Sequence, residues 1–261
     1  MQKIMEMPKV SDTIIEFIRE EIKERKSDGV VIGLSGGLDS SVSAILAVRA
    51  LGHLGVFGLI LPDSKITPKN DIDDATELAK NLKIKYRIIE IGSTKDQLLK
   101  CLPKNKVAQG NLASRLRMSI LYYYAAIKNF LVLGTADKSE LKLGYYTKYG
   151  DGAVDIQPIA DLYKTEVREL AKFLQLSSQV LEKKSSPRIW RGQTAEDEIG
   201  LSYEETDEIL QSLEPLETTS DKKNNFDPNS VERIVSMVRK NLHKQEMPPI
   251  CKVRNSIRNI R

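Results

Sequence analysis

Short β-branched runs alternate along the chain with longer segments in which apolar residues recur every three or four positions. The short runs predict buried strands at residues 30–32, 56–61, 86–91 and 130–133. The longer segments predict helices at residues 11–26, 40–51, 68–82, 93–100 and 111–128. Strands that alternate with helices of this length favour a parallel sheet with helices on both faces, so the predicted fold class is α/β and Rossmann-like.

The second half of the chain is predicted to be mainly helical and to carry the irregular segments. Helical periodicity recurs at residues 165–174, 202–213 and 229–242. Polar stretches without periodicity predict mobile loops at residues 103–110 and 185–195 and an exposed loop at residues 215–225. We therefore expect residues 1–261 to form a single domain whose C-terminal part is helical.

The amino-acid composition limits the classes of protein to which the chain can belong. The chain has 261 residues, of which 41% are hydrophobic and 29% are charged, as in globular proteins. No apolar run approaches the length of a transmembrane helix, and the N-terminal residues lack the apolar core of a signal peptide. The two cysteines, Cys101 and Cys251, are too few for a disulfide framework. These features predict a cytoplasmic protein with no membrane partner.

The junction between the first strand and the next helix carries the clearest chemical signal. Residues 33–41 have the sequence Gly-Leu-Ser-Gly-Gly-Leu-Asp-Ser-Ser. A glycine-rich loop between a strand and a helix N-terminus presents free backbone N–H groups to a phosphate. The loop has no lysine before the helix, unlike the loop that holds a transferable γ-phosphate. It carries Asp39, whose carboxylate repels phosphate unless a cation lies between them, so we infer a bridging Mg²⁺.

Polar residues also follow two other predicted strands, at residues 62–64 and 134–140. Ligands of parallel sheets bind outside the carboxyl ends of the strands, so these segments predict one nucleotide site built from several loops. On the helix at residues 111–128, Arg115 and Arg117 are two positions apart, about 200° around the axis. They are therefore not expected to serve the same small site.

Two sets of motifs resemble known families. Ser35-Gly-Gly-Leu-Asp-Ser-Ser41 resembles the pyrophosphate-binding loop of N-type ATP pyrophosphatases, which cleave ATP between its α- and β-phosphates. The second set is Gly-Thr-Ala-Asp-Lys-Ser-Glu at residues 134–140, Gly-Tyr-Tyr-Thr-Lys-Tyr-Gly-Asp-Gly at residues 144–152, Arg115-Leu-Arg117-Met118 and His243-Lys244. Taken along the chain, the motifs resemble NAD⁺ synthetase over residues 33–244, in matching order and with nearly matching spacing.

This resemblance implies an adenine nucleotide α-hydrolase-like fold and a specific reaction. In the family, the carboxylate of deamido-NAD (nicotinic acid adenine dinucleotide) attacks the α-phosphate of ATP, which gives an NAD-adenylate and pyrophosphate. Ammonia then displaces AMP to form the amide of NAD⁺, the final step of NAD biosynthesis. The implied substrates are deamido-NAD, ATP and ammonia, the implied cofactor is Mg²⁺, and the implied class is an AMP-forming carbon–nitrogen ligase.

The resemblance also assigns roles to residues. The implied ATP-binding residues are Gly33, Leu34, Ser35, Gly36, Gly37, Leu38, Asp39, Ser40, Thr135, Lys164 and Ser186. The implied deamido-NAD contacts are Arg115, Lys148, Asp155, His243 and Lys244. Asp39 and Glu140 match the Mg²⁺ carboxylates, and the implied catalytic residues are Asp39, Glu140 and Asp151. The chain departs from the family at Pro187, where alanine is usual, and a proline there restricts Ser186. Residues 185–195 are expected to act as a lid that orders on substrate binding.

The nitrogen donor and the assembly follow from the same comparison. Glutamine-using relatives carry an additional amidase domain with a nucleophilic cysteine. Neither Cys101 nor Cys251 has a suitable motif or a histidine near it in sequence, so free ammonia is the predicted donor. A separate glutaminase chain stays an alternative source. The resemblance further implies a symmetric homodimer with deamido-NAD across the subunit interface.

Two other functions use the same kind of loop. A tRNA-modifying ATP pyrophosphatase adenylates a base and would hold RNA with the basic residues late in the chain. Sulfur-transfer members of that class usually need paired reactive cysteines, which this sequence does not show. The net charge of +4 is also mild, so no nucleic-acid partner is expected. A nucleotide sensor binds ATP without turnover, but the presence of both Asp39 and Glu140 argues against it. A salt-sensitive gel shift with tRNA near physiological salt would favour the tRNA-modifying enzyme. Pyrophosphate release that depends on deamido-NAD and ammonium would exclude the nucleotide sensor.

Overall fold

A computed structural model describes residues 5–214 and 226–252 of the chain. These residues contain a parallel sheet with the strand order β3-β2-β1-β4. Its strands are β1 (Gly29–Gly33), β2 (Val56–Ile60), β3 (Lys85–Ile88) and β4 (Phe130–Leu133). The four predicted strands and the α/β fold class are confirmed. The predicted loop at residues 215–225 lies outside the described residues.

The helices include all eight that periodicity predicts and three short ones that it does not. In chain order they are α1 (Met7–Glu24), α2 (Leu38–Leu51), α3 (Lys69–Asn81), α4 (Gly92–Leu99), α5 (Lys106–Lys128), α6 (Lys138–Leu143), α7 (Lys164–Phe173), α8 (Ser178–Leu181), α9 (Ala195–Ile199), α10 (Tyr203–Ser212) and α11 (Pro228–Asn241). The helices α6, α8 and α9 are too short to show two periods of an apolar pattern. Within the described ranges, no helix is both long and apolar enough to cross a membrane.

The sheet is covered on both faces, and β1 shows how its side chains divide. Val30 and Ile32 point into a core formed with α1, α2, α3 and α7. Val31 points the other way, into a core that includes Ala113 and Ala125 of α5. All three β1 side chains are fully buried, which explains why the strand is a continuous apolar run rather than an alternating one.

The C-terminal part of the chain is helical, as predicted, and its helices form a third core of their own. Tyr203 and Ile209 of α10 pack there with Ile199 of α9, Leu143 of α6 and Ile234 of α11. The helix α7 joins this core to the sheet, because Tyr163 at its N-terminus lies in the third core while Val167 lies in the first.

The predicted loop at residues 103–110 is wrong for residues 106–110, which belong to α5. The Asn105 side chain caps the helix by accepting a hydrogen bond from Ala108 N at 2.9 Å. The stretch shows no apolar periodicity because residues 106–108 are exposed. Gly110 is not a helix breaker here: an added Cβ would overlap Ile189, so the glycine allows a close approach of another segment. Residues 185–194 are irregular, as predicted.

The strand order of the sheet predicts where a ligand binds. β1 pairs with β2 on one side and with β4 on the other, so the strand order reverses at β1. Ligands bind at the carboxyl edge of such a sheet, at the reversal. The helix α5 runs against the strand direction, because Tyr124 stacks on Phe57 at the start of β2 whereas Leu121 lies beside Gly33 at the end of β1. Its N-terminal half therefore extends past the carboxyl edge.

Candidate active site

The loop between β1 and α2 starts at the carboxyl edge of the sheet. Its hydroxyl groups fold it back on itself: Ser40 Oγ and Ser41 Oγ donate to Gly37 O at 3.1 and 2.7 Å, and Ser35 Oγ lies 2.9 Å from Ser40 Oγ. Gly37 is the residue before α2, and no side chain caps the helix there. The first N–H groups of a helix lack intrahelical acceptors, so this end of α2 is suited to an anion.

Gly36 is the residue of this loop whose backbone requires glycine. Its φ is +71°, and an added Cβ would overlap the carbonyl oxygen of Asp71 in the first turn of α3. The loop can therefore lie directly against α3 only if this position has no side chain.

We expect Gly36→Ala to lower the free energy of unfolding by about 2–4 kcal/mol, because steric overlap adds to the roughly 1 kcal/mol cost of a left-handed alanine. Gly192→Ala is the matched control, since Gly192 has a φ of +73° and nothing lies within 4 Å of its added Cβ. Urea unfolding of both variants measures the difference. Equal losses of stability in the two variants would contradict the close packing of Gly36.

Lys164, the first residue of α7, is the centre of the site. Its side chain is 1% exposed, and its Nζ lies 2.7 Å from Asp39 Oδ2, 2.7 Å from Asp137 Oδ2 and 3.0 Å from Glu140 Oε1. Asp39 comes from the first turn of α2, while Asp137 and Glu140 come from the start of α6. We call Asp39, Asp137 and Glu140 the inner carboxylate cluster. The structure thus brings together three of the predicted site residues, namely Asp39, Glu140 and Lys164.

Burial and charge shift the pKa values of this group in known directions. Burial raises the pKa of Asp137 to about 6 and the pKa of Glu140 to about 8, against the opposing attraction of Lys164. Burial by itself lowers the pKa of Lys164, but the attraction of Asp137, Asp39 and Glu140 outweighs it and holds that pKa well above its ordinary value. Lys164 is therefore cationic at neutral pH, and a second cation beside it would favour the ionised form of Glu140.

The inner carboxylate cluster fits a divalent cation. One oxygen atom from each of Asp39, Asp137 and Glu140 lies within 4.8 Å of the others. Asp39 Oδ1 is buried and has no hydrogen-bond partner among the described residues. A buried carboxylate oxygen without a partner costs free energy, and Mg²⁺ takes oxygen ligands of this kind. The residues present therefore suit the predicted Mg²⁺, and Asp137 is a candidate ligand in addition to the predicted pair.

A buried network fixes the end of α7 that carries Lys164. Lys164 N donates to Ser139 Oγ at 2.9 Å, and Ser139 Oγ in turn donates to Asp207 Oδ1. Asp207 Oδ2 accepts from Thr165 N at 2.9 Å. Asp207 belongs to α10 and is 1% exposed. Through this network, α10 of the C-terminal part fixes the N-terminus of α7 and thereby the position of Lys164.

A cavity of about 280 Å³ opens at the carboxyl edge beside this cluster. Its walls are the loop between β1 and α2, the ends of β2 and β4, one face of α5 and residues 183–188. The predicted residues on these walls are Gly33, Leu34, Ser35, Gly37, Leu38, Asp39, Ser40, Thr135, Glu140, Asp151, Lys164 and Ser186. The predicted ATP-binding and catalytic residues therefore line this one cavity, with the exception of Gly36, which is not on its walls.

The segment at residues 183–188 is fixed to α3 by ion pairs that the sequence analysis missed. Lys183 Nζ lies 2.8 Å from Asp71 Oδ1 and 2.5 Å from Asp74 Oδ2, and it donates to Gly36 O at 2.8 Å. Arg188 Nε donates to Asp71 Oδ2 at 2.7 Å. In the same segment, Ser186 Oγ accepts from Arg188 N at 3.2 Å. We call the loop between β1 and α2, residues 34–37, the phosphate loop, after its predicted role. Asp71 thus joins the phosphate loop, α3 and the predicted lid.

The predicted deamido-NAD contacts lie outside this cavity. We call Arg115, Lys148, His243 and Lys244 the outer basic cluster. Arg115 Nη2 donates to Lys148 O at 3.2 Å, and Lys148 Nζ donates to His243 O. Lys244 Nζ donates to the carbonyl oxygens of residues 144 and 146 at 2.6 and 2.9 Å. These hydrogen bonds bring the four residues together on one surface, next to the segment at residues 144–152.

Asp155 occupies a different position from the other predicted contacts. Its Oδ2 accepts from Val132 N at 2.7 Å, and its Oδ1 accepts from Tyr122 OH at 3.2 Å. It therefore holds the chain after β4 against the sheet. Asp151, four residues earlier, does line the cavity, and its Oδ1 accepts from Ser114 Oγ at 2.9 Å and from Thr147 N at 3.0 Å.

The comparisons with known proteins agree with the motifs. The family model described as NAD synthase matches residues 10–248. The NH(3)-dependent NAD(+) synthetase of Archaeoglobus fulgidus is 47% identical over 252 residues, which are 96% of this chain and 99% of that relative. The structure is similar to that of an NH3-dependent NAD synthetase from Campylobacter jejuni, with 40% identity, a TM-score of 0.82 and coverage of 95% and 100% of the two chains. It is also similar to an NMN synthetase from Francisella tularensis, with 34% identity, a TM-score of 0.86 and coverage of 95% and 99%.

Proposed function

Because the chain belongs to the NAD synthase family, we propose that it amidates deamido-NAD to NAD⁺ with ammonia and ATP. This activity makes it a carbon–nitrogen ligase of the final step of NAD biosynthesis, with AMP and pyrophosphate as the other products. The observation that carries the proposal is the meeting of the phosphate loop, Lys164 and the inner carboxylate cluster in one cavity.

The chemistry proceeds in two steps. A carboxylate oxygen of deamido-NAD attacks the α-phosphorus of ATP, the bond from that phosphorus to the bridging oxygen breaks, and pyrophosphate leaves with the electron pair. The nitrogen of ammonia then attacks the carboxyl carbon of the adenylate and loses a proton, while AMP leaves with the electron pair of the carbon–oxygen bond. Activation is necessary because a free carboxylate is anionic and has no competent leaving group.

The phosphate loop and Lys164 account for ATP binding. The N-terminus of α2 offers backbone N–H groups to the phosphates, and Lys164 adds a fixed charge beside them. Asp39, Glu140 and Asp137 would hold Mg²⁺, which when bound neutralises the charge of the departing pyrophosphate. Thr135 and Ser186 place hydroxyl groups on the same walls and are proposed to contact ATP.

Ammonia and deamido-NAD have different proposed binding groups. Asp151 lines the cavity with a carboxylate, so it is proposed to attract ammonium close to the adenylate. The outer basic cluster suits the pyrophosphate and carboxylate of deamido-NAD, and Asp155 is proposed to support that site.

A symmetric homodimer is proposed to complete the deamido-NAD site. Tyr123 and Ile127 of α5, with 66% and 63% exposure, offer an apolar surface for association.

We expect Lys148→Ala to raise the KM for deamido-NAD about tenfold and to change the KM for ATP less than about twofold, because it removes a cation from the outer basic cluster only. Separate titrations of the two substrates measure this split. Lys80→Ala, at an exposed position of α3, is the control and should leave both values unchanged. Equal weakening of both substrates by Lys148→Ala would contradict the assignment.

The proposed function is tested by incubating the purified protein with ATP, Mg²⁺, deamido-NAD and ammonium. AMP, pyrophosphate and NAD⁺ are expected in equal amounts, and ADP with orthophosphate in their place would refute the proposal. Because an NMN synthetase is among the similar structures, nicotinic acid mononucleotide is tested as the competing acceptor. A higher kcat/KM with the mononucleotide would assign the chain to that reaction. Glutamine in place of ammonium should give no NAD⁺.

A further inference from the structure

Arg117 is a cation on the cavity wall that the proposed function leaves without a role. It lies on the same face of α5 as Ser114, Met118 and Leu121, which line the cavity with it. An added Cβ at Gly33 would lie 3.8 Å from Leu121 Cδ1, so Leu121 marks the end of β1. Arg117 is one turn nearer the N-terminus of α5. It is therefore placed beyond the sheet edge, across the cavity from the phosphate loop.

The guanidinium of Arg117 is fixed at one atom. Its Nε donates to Leu61 O, just after β2, at 2.9 Å. Over residues 5–214 and 226–252, neither Nη group has a hydrogen bond or an ion pair with the protein. A guanidinium anchored at Nε holds its two Nη groups in a defined direction as a fork of donors. Arg115 is different, because its Nη2 is bound to Lys148 O in the outer basic cluster.

The surroundings of Arg117 favour an anion. Burial lowers the pKa of Arg117, and the charges of Asp63 and Asp151 oppose that change. Both carboxylates have other partners: Asp63 is paired with Lys95, and Asp151 Oδ1 accepts from Ser114 and Thr147. Arginine remains charged in proteins, so the cavity wall carries a partly buried cation that has no direct counter-ion within residues 5–214 and 226–252. A bound oxyanion would recover the free energy lost by desolvation.

We propose that Arg117 binds the α-phosphate of ATP and holds it while the carboxylate of deamido-NAD attacks. This inference rests on the proposed function. In this arrangement the N-terminus of α2 and the inner carboxylate cluster would bind the two phosphates that leave as pyrophosphate, which would place the α-phosphate further across the cavity, towards α5. The fork of Arg117 can bind two of its oxygens at once. It thereby neutralises charge that repels the incoming carboxylate.

The test compares Arg117→Lys and Arg117→Met with the unmodified chain by isothermal titration calorimetry. The ligands are α,β-methylene-ATP with Mg²⁺, inorganic pyrophosphate with Mg²⁺, and deamido-NAD. We expect the affinity for α,β-methylene-ATP to fall about tenfold in Arg117→Lys, which cannot form the fork, and about a hundredfold in Arg117→Met. The affinities for pyrophosphate and deamido-NAD should each change less than about twofold.

Two outcomes of these titrations would overturn the inference. An equal loss of pyrophosphate affinity means that Arg117 acts only through the overall charge of the cavity, and a loss confined to deamido-NAD assigns it to the other substrate.

The control variant is Arg49→Met, which removes an exposed arginine at the end of α2 and should change none of the affinities. Thermal unfolding checks the fold, and Arg117→Lys preserves the charge if Arg117→Met is unstable. Absence of NAD⁺ synthesis by the unmodified chain refutes the proposed function, whereas the nucleotide affinities still decide the role of Arg117.

Discussion

Asp39→Asn is expected to lower kcat for NAD⁺ formation by about a thousandfold or more, equivalent to roughly 4 kcal/mol of transition-state stabilisation. Asp39 Oδ2 lies 2.7 Å from Lys164 Nζ, and the buried Oδ1 has no hydrogen-bond partner among the residues that the structure describes. Asparagine preserves the shape of the side chain but removes its charge. The variant should therefore fold normally and bind Mg²⁺ poorly where pyrophosphate leaves.

The measurement follows AMP and NAD⁺ together over a range of Mg²⁺ concentrations, with urea unfolding as the check on the fold. Asp161→Asn is the matched control, since the Asp161 side chain is 97% exposed and its one ion pair within residues 5–214 and 226–252 is with Lys138. It should retain full activity. An Asp39→Asn enzyme with unchanged turnover and unchanged Mg²⁺ dependence would remove Asp39 from the proposed cation site.

Lys164→Met is expected to lower the free energy of unfolding by about 3–5 kcal/mol and to reduce turnover at least a thousandfold. The substitution fills a similar volume but leaves Asp39, Asp137 and Glu140 without their shared ammonium. Removing one member of a buried ion group is costly because the remaining charges stay out of water. Added Mg²⁺ should raise the Tm of this variant more than that of the unmodified chain, since the cation can then compensate the same carboxylates.

Lys172→Met provides the comparison on the same helix. Its side chain is 59% exposed and, among the residues that the structure describes, pairs with Glu169 alone, one turn earlier. An exposed ion pair of this kind is worth less than about 1 kcal/mol. Stability and turnover should both remain close to those of the unmodified chain. If Lys164→Met were no less stable than Lys172→Met, the buried ammonium would not be the element that holds the three carboxylates together.

The fold was predictable where one segment of sequence determines one element. Val30, Val31 and Ile32 are buried on both faces of the sheet, so their apolar run predicts β1 without any knowledge of its neighbours. The start of α5 was not predictable in this way. Its first residues are exposed, and the requirement for glycine at position 110 comes from Ile189, far along the chain, which an added Cβ would overlap.

The same distinction separates the predicted and missed parts of the site. Motifs point to Asp39, Glu140 and Lys164, and the structure brings them together. Asp137 has the local pattern of a helix cap, with its side chain accepting from Glu140 N, and that pattern conceals its position in the inner carboxylate cluster. The pairing of Asp71 with Lys183 has no local signature at all, because it depends on α3 meeting a segment more than a hundred residues later.

The buried network beneath Lys164 has a consequence for synthesis of the protein. The ammonium and its first carboxylate partner are 125 positions apart in the chain, and the aspartate of α10 that anchors the end of α7 follows later still. Domains emerge from the ribosome N-terminal part first, so the phosphate loop is made long before the residues that complete it. A nascent chain therefore carries an incomplete form of the proposed reaction centre until α10 has been translated and has packed against α7, and truncated products should not consume ATP.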